Sequence, residues 1–401
     1  MEKSIRPVRE TVFDKRIQII RNKDTFGTYC FYAAMLLYAL VMIVGHSVWE
    51  VPYRGRVLQL AFVLCCLKIA ATEYSVKEWM ALVLLGMLGT ASYLVISEEY
   101  IISIVAMVFA AKSVRMRPVI KWLFYGLLLG TVCIAVLSLL GVGGIIVDIR
   151  DYGRGGIETR WCLGFNHANG LQGTLWYLYV LLIYLYFKKM KWYHYLVLTA
   201  LNIGLYTLTL SRAGMLTAQI IIVAACILHY VPAIGRQLWL YLSGGFCIVA
   251  AVVLSLVSVA VHRDTSVILQ ILDRFFTGRI VLAYEGANIS NWRVLSHVGE
   301  LGIVDNGWVT VFFNYGYLVG SVFVAVQLYL ICMAYKRKNG LYLAILVTNA
   351  FYTLMESSYT MNNAYFLCNL SYVAAMLMMG EEYESEGFEG SDKGNIFGSA
   401  N

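Results

Sequence analysis

Runs of about 18–24 predominantly apolar residues, each long enough to cross a hydrocarbon core roughly 30 Å thick as a helix, recur from Phe26 to Met379. No other feature constrains the fold as strongly. In lipid, every backbone N–H and C=O must find a partner within its own segment or sheet, so consecutive spans of this kind are helices. Four prolines among 401 residues leave them largely uninterrupted. Helices are expected near 26–47, 56–71, 79–96, 99–112, 119–142, 167–187, 193–210, 214–231, 238–261, 307–334, 340–358 and 362–379. The predicted class is all-α: a polytopic transmembrane bundle of about twelve helices with one large extracytoplasmic loop.

Composition agrees. Hydrophobic residues make up 60% of the chain and charged residues 14%, well below the roughly 25% charge of a soluble domain. The nine cysteines form no CxxC pair and eight lie in apolar runs, which argues against a disulfide framework or a zinc site. Three segments are expected: a basic cytoplasmic N-terminus (1–25), a membrane domain (26–379) with outer loops at 143–166 and 262–306, and an acidic tail (380–401) too polar to fold alone. Within the second loop, Val267, Ile268, Ile271, Leu272, Phe275 and Ile280 recur at helical spacing, as in a helix lying in the membrane interface, which Gly278 would stop.

The net charge of +7 is distributed as topology demands, not as a nucleic-acid surface. With both termini cytoplasmic, basic residues concentrate in the inner loops 112–121, 188–191 and 336–338. The basic residues left outside are all arginines: Arg54, Arg56, Arg150, Arg154, Arg160, Arg212, Arg263, Arg274, Arg279 and Arg293. All the lysines fall at or near the other face. A guanidinium forks bidentately onto phosphate where an ammonium is a point charge, so the bias points to an external ligand bearing phosphate or diphosphate.

Three polar clusters reach that face. They are Arg154-Gly-Gly with Arg160 through His167 and Asn169; Ser211-Arg212-Ala-Gly; and Thr277-Gly-Arg279 with Trp292 and Asp305-Asn306-Gly-Trp308. Arg212 stands between two apolar helices, where an arginine is costly unless it snorkels or meets an anion. Ser211 and Gly214 suit a tight turn that admits a ligand. Asp305 and Asn306 suit either chemistry or a helix cap. Glu158 and Glu300 are further external carboxylates, and His297 reads as a solvated loop histidine.

These motifs, in this order over roughly residues 150–320, resemble the O-antigen polymerase and ligase family, above all the Wzy-type polymerases of capsule and exopolysaccharide. The resemblance implies a GT-C-like fold and a metal-independent, cofactor-free, inverting glycosyltransferase at the outer face of the cytoplasmic membrane. Its donor and acceptor would be polyprenyl-diphosphate-linked oligosaccharides, with a flippase and a chain-length regulator as partners besides membrane lipid. Carried over, Arg212 and Arg279 would bind the diphosphate. Arg154, Arg160, His167, Asn169, Ser211 and Asn306 would shape the substrate site. Asp305 stands where ligases carry histidine; as the candidate base it favours polymerase over ligase. A lipid-linked oligosaccharide flippase is the alternative from another class, with Glu356 as its intramembrane ionisable candidate.

Overall fold

A computed structural model describes residues 12–49, 51–151, 156–276, 278–297, 299, 302, 304–357 and 369–380, with side chains from residue 25 onward. The first half of the chain runs α1 (Val12–Gly45), α2 (Arg54–Ala71), α3 (Val76–Ile96), α4 (Tyr100–Ala110) and α5 (Met116–Leu139), then the strands β1 (Val147–Asp151) and β2 (Ile157–Trp161). There follow α6 (Ala168–Tyr186), α7 (Trp192–Thr209), α8 (Arg212–Tyr230), α9 (Leu238–Ala260), α10 (Val267–Phe275) and α11 (Arg279–Gly286). The chain ends in α12 (Gly307–Lys336), α13 (Gly340–Met355) and α14 (Leu370–Gly380). Seven of these helices are long and apolar enough to cross a membrane: α1 from Thr25, α3, α5, α6 with the turn after it, α8, α9 and α12. This is the make-up of a multi-pass helical membrane protein.

Each of the twelve expected segments is occupied by helix, although positions 358–368 of the last lie outside the described residues. Peripheral helices expose apolar side chains such as Leu84, Leu94, Leu129, Leu196, Leu242 and Phe246, as expected where a bundle faces lipid rather than water. Residues 12–24, expected within a polar lead-in, are already helical backbone of α1.

The centre of the bundle is an antiparallel pair, α6 and α13, whose residues are buried nearly all round. Aromatic rings join them at two levels, Trp176 to Tyr352 (4.4 Å between ring centres) and Tyr184 to Tyr342 (6.4 Å). Around this pair α8 packs on both, α9 and α12 on α13, α5 and α7 on α6, and α1 with α2 on the flank. At its sixteen residues, α13 is only about 24 Å long. It therefore ends short of a full span, and polar side chains from other elements gather at its C-terminus.

The chain reverses at two ends. At one end, Lys112 Nζ meets Glu78 (2.6 Å), Arg117 donates to Leu185 O (3.2 Å) and Arg337 donates to Met378 O (2.7 Å). At the opposite end lie the β-hairpin, the α7–α8 turn, α10 and α11. There Asn166 N–H donates to His46 O (3.2 Å), tying the hairpin loop to the end of α1.

Three expected features are corrected. The loop 143–166 contains the antiparallel pair β1–β2, registered from Val147–Trp161 to Asp151–Ile157. The loop 262–306 is not one free soluble piece, because it contributes α10 and α11 and then docks into α12. The segment expected as a continuous helix at 307–334 breaks at Gly316 (φ 80°, ψ 175°). Its two arms fold back on one another: Trp308 lies 5.4 Å from Phe323 between ring centres, and Phe312 occupies the space beside Gly320. Amides freed by the break are satisfied from the loop, Tyr317 N–H by Arg293 O and Leu318 N–H by Val294 O (both 2.9 Å). Only glycine serves here. Its φ lies in the left-handed region, and a Cβ would sit 2.5 Å from Arg293 O and 2.6 Å from the Val294 backbone.

Candidate functional site

The C-terminal end of α13 gathers a cluster of polar side chains from separate stretches of chain. Arg279, the first residue of α11, reaches into it with a side chain only 11% exposed. Its Nε donates to Met355 O (2.6 Å) at the end of α13, and Nη1 donates to Phe276 O (3.1 Å). Its Nη2 stands 3.6 Å from Asp305 Oδ2. Asp305 precedes the short arm 307–315 of α12 and is partly exposed. The next residue of α13, Glu356, is buried and accepts from Asn169 Nδ2 (3.3 Å) in the first turn of α6.

Local sequence explains why Arg279 stands where it does. Gly278 takes φ 83° and stops α10, as expected. Asp273, buried in α10, accepts the amides of Ile280 (2.9 Å) and Val281 (3.1 Å) through Oδ1, supplying the cap that α11 lacks from its own N-terminal neighbour. Its Oδ2 holds Arg263 Nη1 at 2.6 Å. One carboxylate thus fixes the angle between α10 and α11 and with it the entry of Arg279. On the far side α10 exposes Val267, Ile268, Ile271 and Phe275; this apolar face suits a helix resting in a membrane interface, as its periodicity predicts.

His167 caps α6, its Nδ1 accepting from Asn169 N–H (3.1 Å). Burial lowers its pKa, and the Arg160 and Arg150 guanidiniums add to that effect against the opposing Asp148 and Asp305. The ring is therefore neutral near pH 7, with Nδ1 accepting and Nε2 as the N–H donor. Arg160, almost wholly buried in β2, directs Nε (2.9 Å) and Nη2 (2.6 Å) at Glu158 Oε2. Asn306 is a cap: its Oδ1 accepts from Trp308 N–H (3.0 Å) and Val309 N–H (3.2 Å), while Nδ2 donates to Ser255 in α9 (2.9 Å).

Arg212 begins α8 at the same end and differs from Arg279. Its side chain is exposed, and it forms no ion pair or hydrogen bond among the described residues. A polar ladder beneath it fixes its place. Thr209 donates to Gln172 Oε1 (3.0 Å), Gln172 to Asn202 Oδ1 (3.1 Å), and Asn202 to Met215 O and Gln219 (3.0 and 3.3 Å). The Ser211 side chain is buried beside this ladder, its amide directed at Thr209. The turn itself is taken by Leu210 at φ 51°. Gly214 serves not ligand entry but this ladder: a Cβ would come within 2.6 Å of Gln172 Cγ.

The structure thus brings Arg279, Asp305, His167 and Asn169 together, with Arg160 close to His167; Arg212 stands at the same end of the bundle, at the start of α8. No contact joins Arg212 to Arg279 among the described residues. Arg154, Thr277 and Glu300 lie outside the described residues. His297 is not solvated as expected; its ring lies 4.7 Å from that of Phe313, with Nδ1 3.3 Å from Asn314 O. Sequence reasoning missed Asp273 and Gln172. Single polar residues in apolar helices were the available signal, since a buried carboxylate or amide is retained only with partners. Comparisons with family models, with curated proteins and with solved structures return no match.

Proposed function

We propose that this protein polymerises polyprenyl-diphosphate-linked oligosaccharide repeat units, using the polar cluster at the C-terminal end of α13 at the outer face of the cytoplasmic membrane. The observation that carries the reading is Arg279: a guanidinium sunk into an apolar bundle, held by two backbone carbonyls and facing a partly exposed carboxylate. A cation so fixed and so poorly hydrated is what a departing diphosphate needs, because preorganised charge in a low-dielectric site needs no reorganisation as the bond breaks. Arg212, exposed at the start of α8 and without an ion pair among the described residues, supplies a second guanidinium to the same anion.

In this reading the acceptor hydroxyl attacks the anomeric carbon of the donor sugar. Asp305 receives its proton, the bond to the diphosphate breaks, and the leaving group departs onto the two arginines. His167, as a neutral Nε2–H donor, and Asn169 orient sugar hydroxyls. Arg160, paired with Glu158, holds the hairpin wall. Glu356 is bonded to Asn169 in the same cluster, which favours a site for chemistry over the mid-membrane ion site of a flippase. The resemblance to Wzy-type polymerases in the motifs around these residues points the same way.

The test uses the full chain in membrane vesicles with a lipid-linked repeat unit. Products longer than one repeat are expected, and their yield falls roughly 10²-fold in Arg279→Lys and in Arg212→Lys. A cell lacking the protein accumulates single repeats on the lipid carrier. Single repeats trapped on the inner face would instead indicate a flippase, and full activity in both lysine variants would remove the diphosphate assignment.

A further inference from the structure

The end of the bundle opposite the Arg279 cluster carries a cavity of about 590 Å³. Six cations line it: Arg117, Lys188, Lys189, Arg236, Arg337 and Lys338. They come from the start of α5, the α6–α7 turn, the α8–α9 turn and the α12–α13 turn. No aspartate or glutamate is among the lining residues. Hydrogen bonds to backbone carbonyls fix two of the guanidiniums, Arg117 on Leu185 O and Arg337 on Met378 O. Lys338 lies over the Tyr335 ring at 3.4 Å. Asn339, Gly340 and Leu341 present the first turn of α13 to the same cavity, adding the positive end of a helix dipole.

Basic turns alone are what the positive-inside rule requires of any multi-pass protein. Orientation, however, asks only that the charges lie in the loops. It does not require them to share one concave cavity, nor that cavity to adjoin an apolar groove. Here the two adjoin. A groove of about 220 Å³ runs between α8, α9 and α13, lined by Ala224, Ile227, Leu240, Cys247, Leu343 and Val347. It shares Leu228 and Gly340 with the basic cavity. The junction is built from glycine: a Cβ on Gly340 would lie 2.8 Å from Leu228 and 3.0 Å from Gly235 Cα. Like charges repel at this spacing unless an anion sits among them, and an apolar groove leading away needs a chain to fill it. One molecule meets both needs.

We propose that this end binds an anionic phospholipid, its phosphate headgroup in the six-cation cavity and an acyl chain along the α8–α9–α13 groove. The assignment is independent of the glycosyl-transfer reading, since no residue is shared with the Arg279 cluster. Basic pockets between helices at the cytoplasmic face are a recurrent solution for such headgroups.

The test is native mass spectrometry of the full chain released from nanodiscs containing phosphatidylglycerol and phosphatidylcholine in equal amounts. Phosphatidylglycerol is expected to remain bound at least tenfold in preference. The double variant Lys189→Ala/Arg236→Ala, at two exposed positions, loses that preference while its melting temperature stays unchanged. Cys247→Trp, which fills the groove, weakens binding of the long-chain lipid and leaves dihexanoyl phosphatidylglycerol unaffected. Equal retention of the two lipids by the wild type would overturn the proposal. So would full phosphatidylglycerol binding in a folded double variant, which would leave the acidic segment 381–401 as the cavity's counter-charge.

Discussion

At the scale of single residues, four arginines at the outer end have their charge answered by carboxylates and others do not. Arg150 and Arg160 face Asp148 and Glu158, Arg263 faces Asp273, and Arg279 stands by Asp305. The exposed Arg212, Arg274 and Arg293 form no ion pair among the described residues, and of these the sequence marked Arg212 as costly because it stands between two apolar helices. His46 adds a pH dependence to the same end. Burial at the close of α1 lowers its pKa to about 4, against roughly 6.5 for a free histidine. The unfolded chain therefore takes up a proton that the folded one refuses. Stability is full above pH 6.5 and declines as the pH falls toward 4, by on the order of 3 kcal/mol over that window. Thermal melts of detergent-solubilised protein between pH 7 and 4 check this, and His46→Gln is expected to flatten the slope. An unchanged slope would place the titration elsewhere. The candidate residues around Arg279 were legible because charged side chains are rare in apolar sequence. Asp273 was not: a lone aspartate near an amphipathic helix reads as solvated until α10 and α11 are folded against each other.

At the scale of elements, hydropathy located the twelve long apolar segments, but not α11 as a helix of its own, nor how each helix is broken or paired. The run from Trp308 to Tyr335 is apolar almost without interruption, so nothing in its composition distinguishes one helix from two arms meeting at Gly316. The β1–β2 hairpin was similarly hidden, its strands being five residues each. The α6–α8 ladder was hidden for another reason: Gln172 and Asn202 find each other across thirty residues, and isolated polar positions in three helices carry no periodicity. The break in α12 gives a sharp prediction. Gly316→Ala places a methyl against the Arg293 and Val294 backbone at a φ that L-residues disfavour, costing on the order of 1–3 kcal/mol. The loop 288–297 must then detach, and limited proteolysis is expected to cut near Arg293 in the variant but not in the wild type. Gly55→Ala, at a position with open space around it, serves as the control.

At the scale of the whole molecule, the two ends differ in chemistry: a mixed-charge cluster at one, and at the other a basic cavity with no acidic side chain among its described lining residues. The proposed orientation puts them on opposite faces of the membrane, and labelling tests it directly. In a cysteine-free background, Ile149→Cys in the hairpin is expected to react with an impermeant maleimide on intact cells. Trp192→Cys, at the start of α7, is expected to react only after permeabilisation; the reverse pattern would invert the topology and remove the proposed site from the outer face. The folded-back arm of α12 also bears on how the protein is made. Trp308 donates to Ala350 O in α13 (3.2 Å), and Arg279 depends on Met355 O nearby. Both acceptors leave the ribosome after their donors, by 42 and 76 residues. Until α13 is inserted, the nascent chain has its peripheral scaffold but neither of these contacts, so the candidate site is completed late and as a unit.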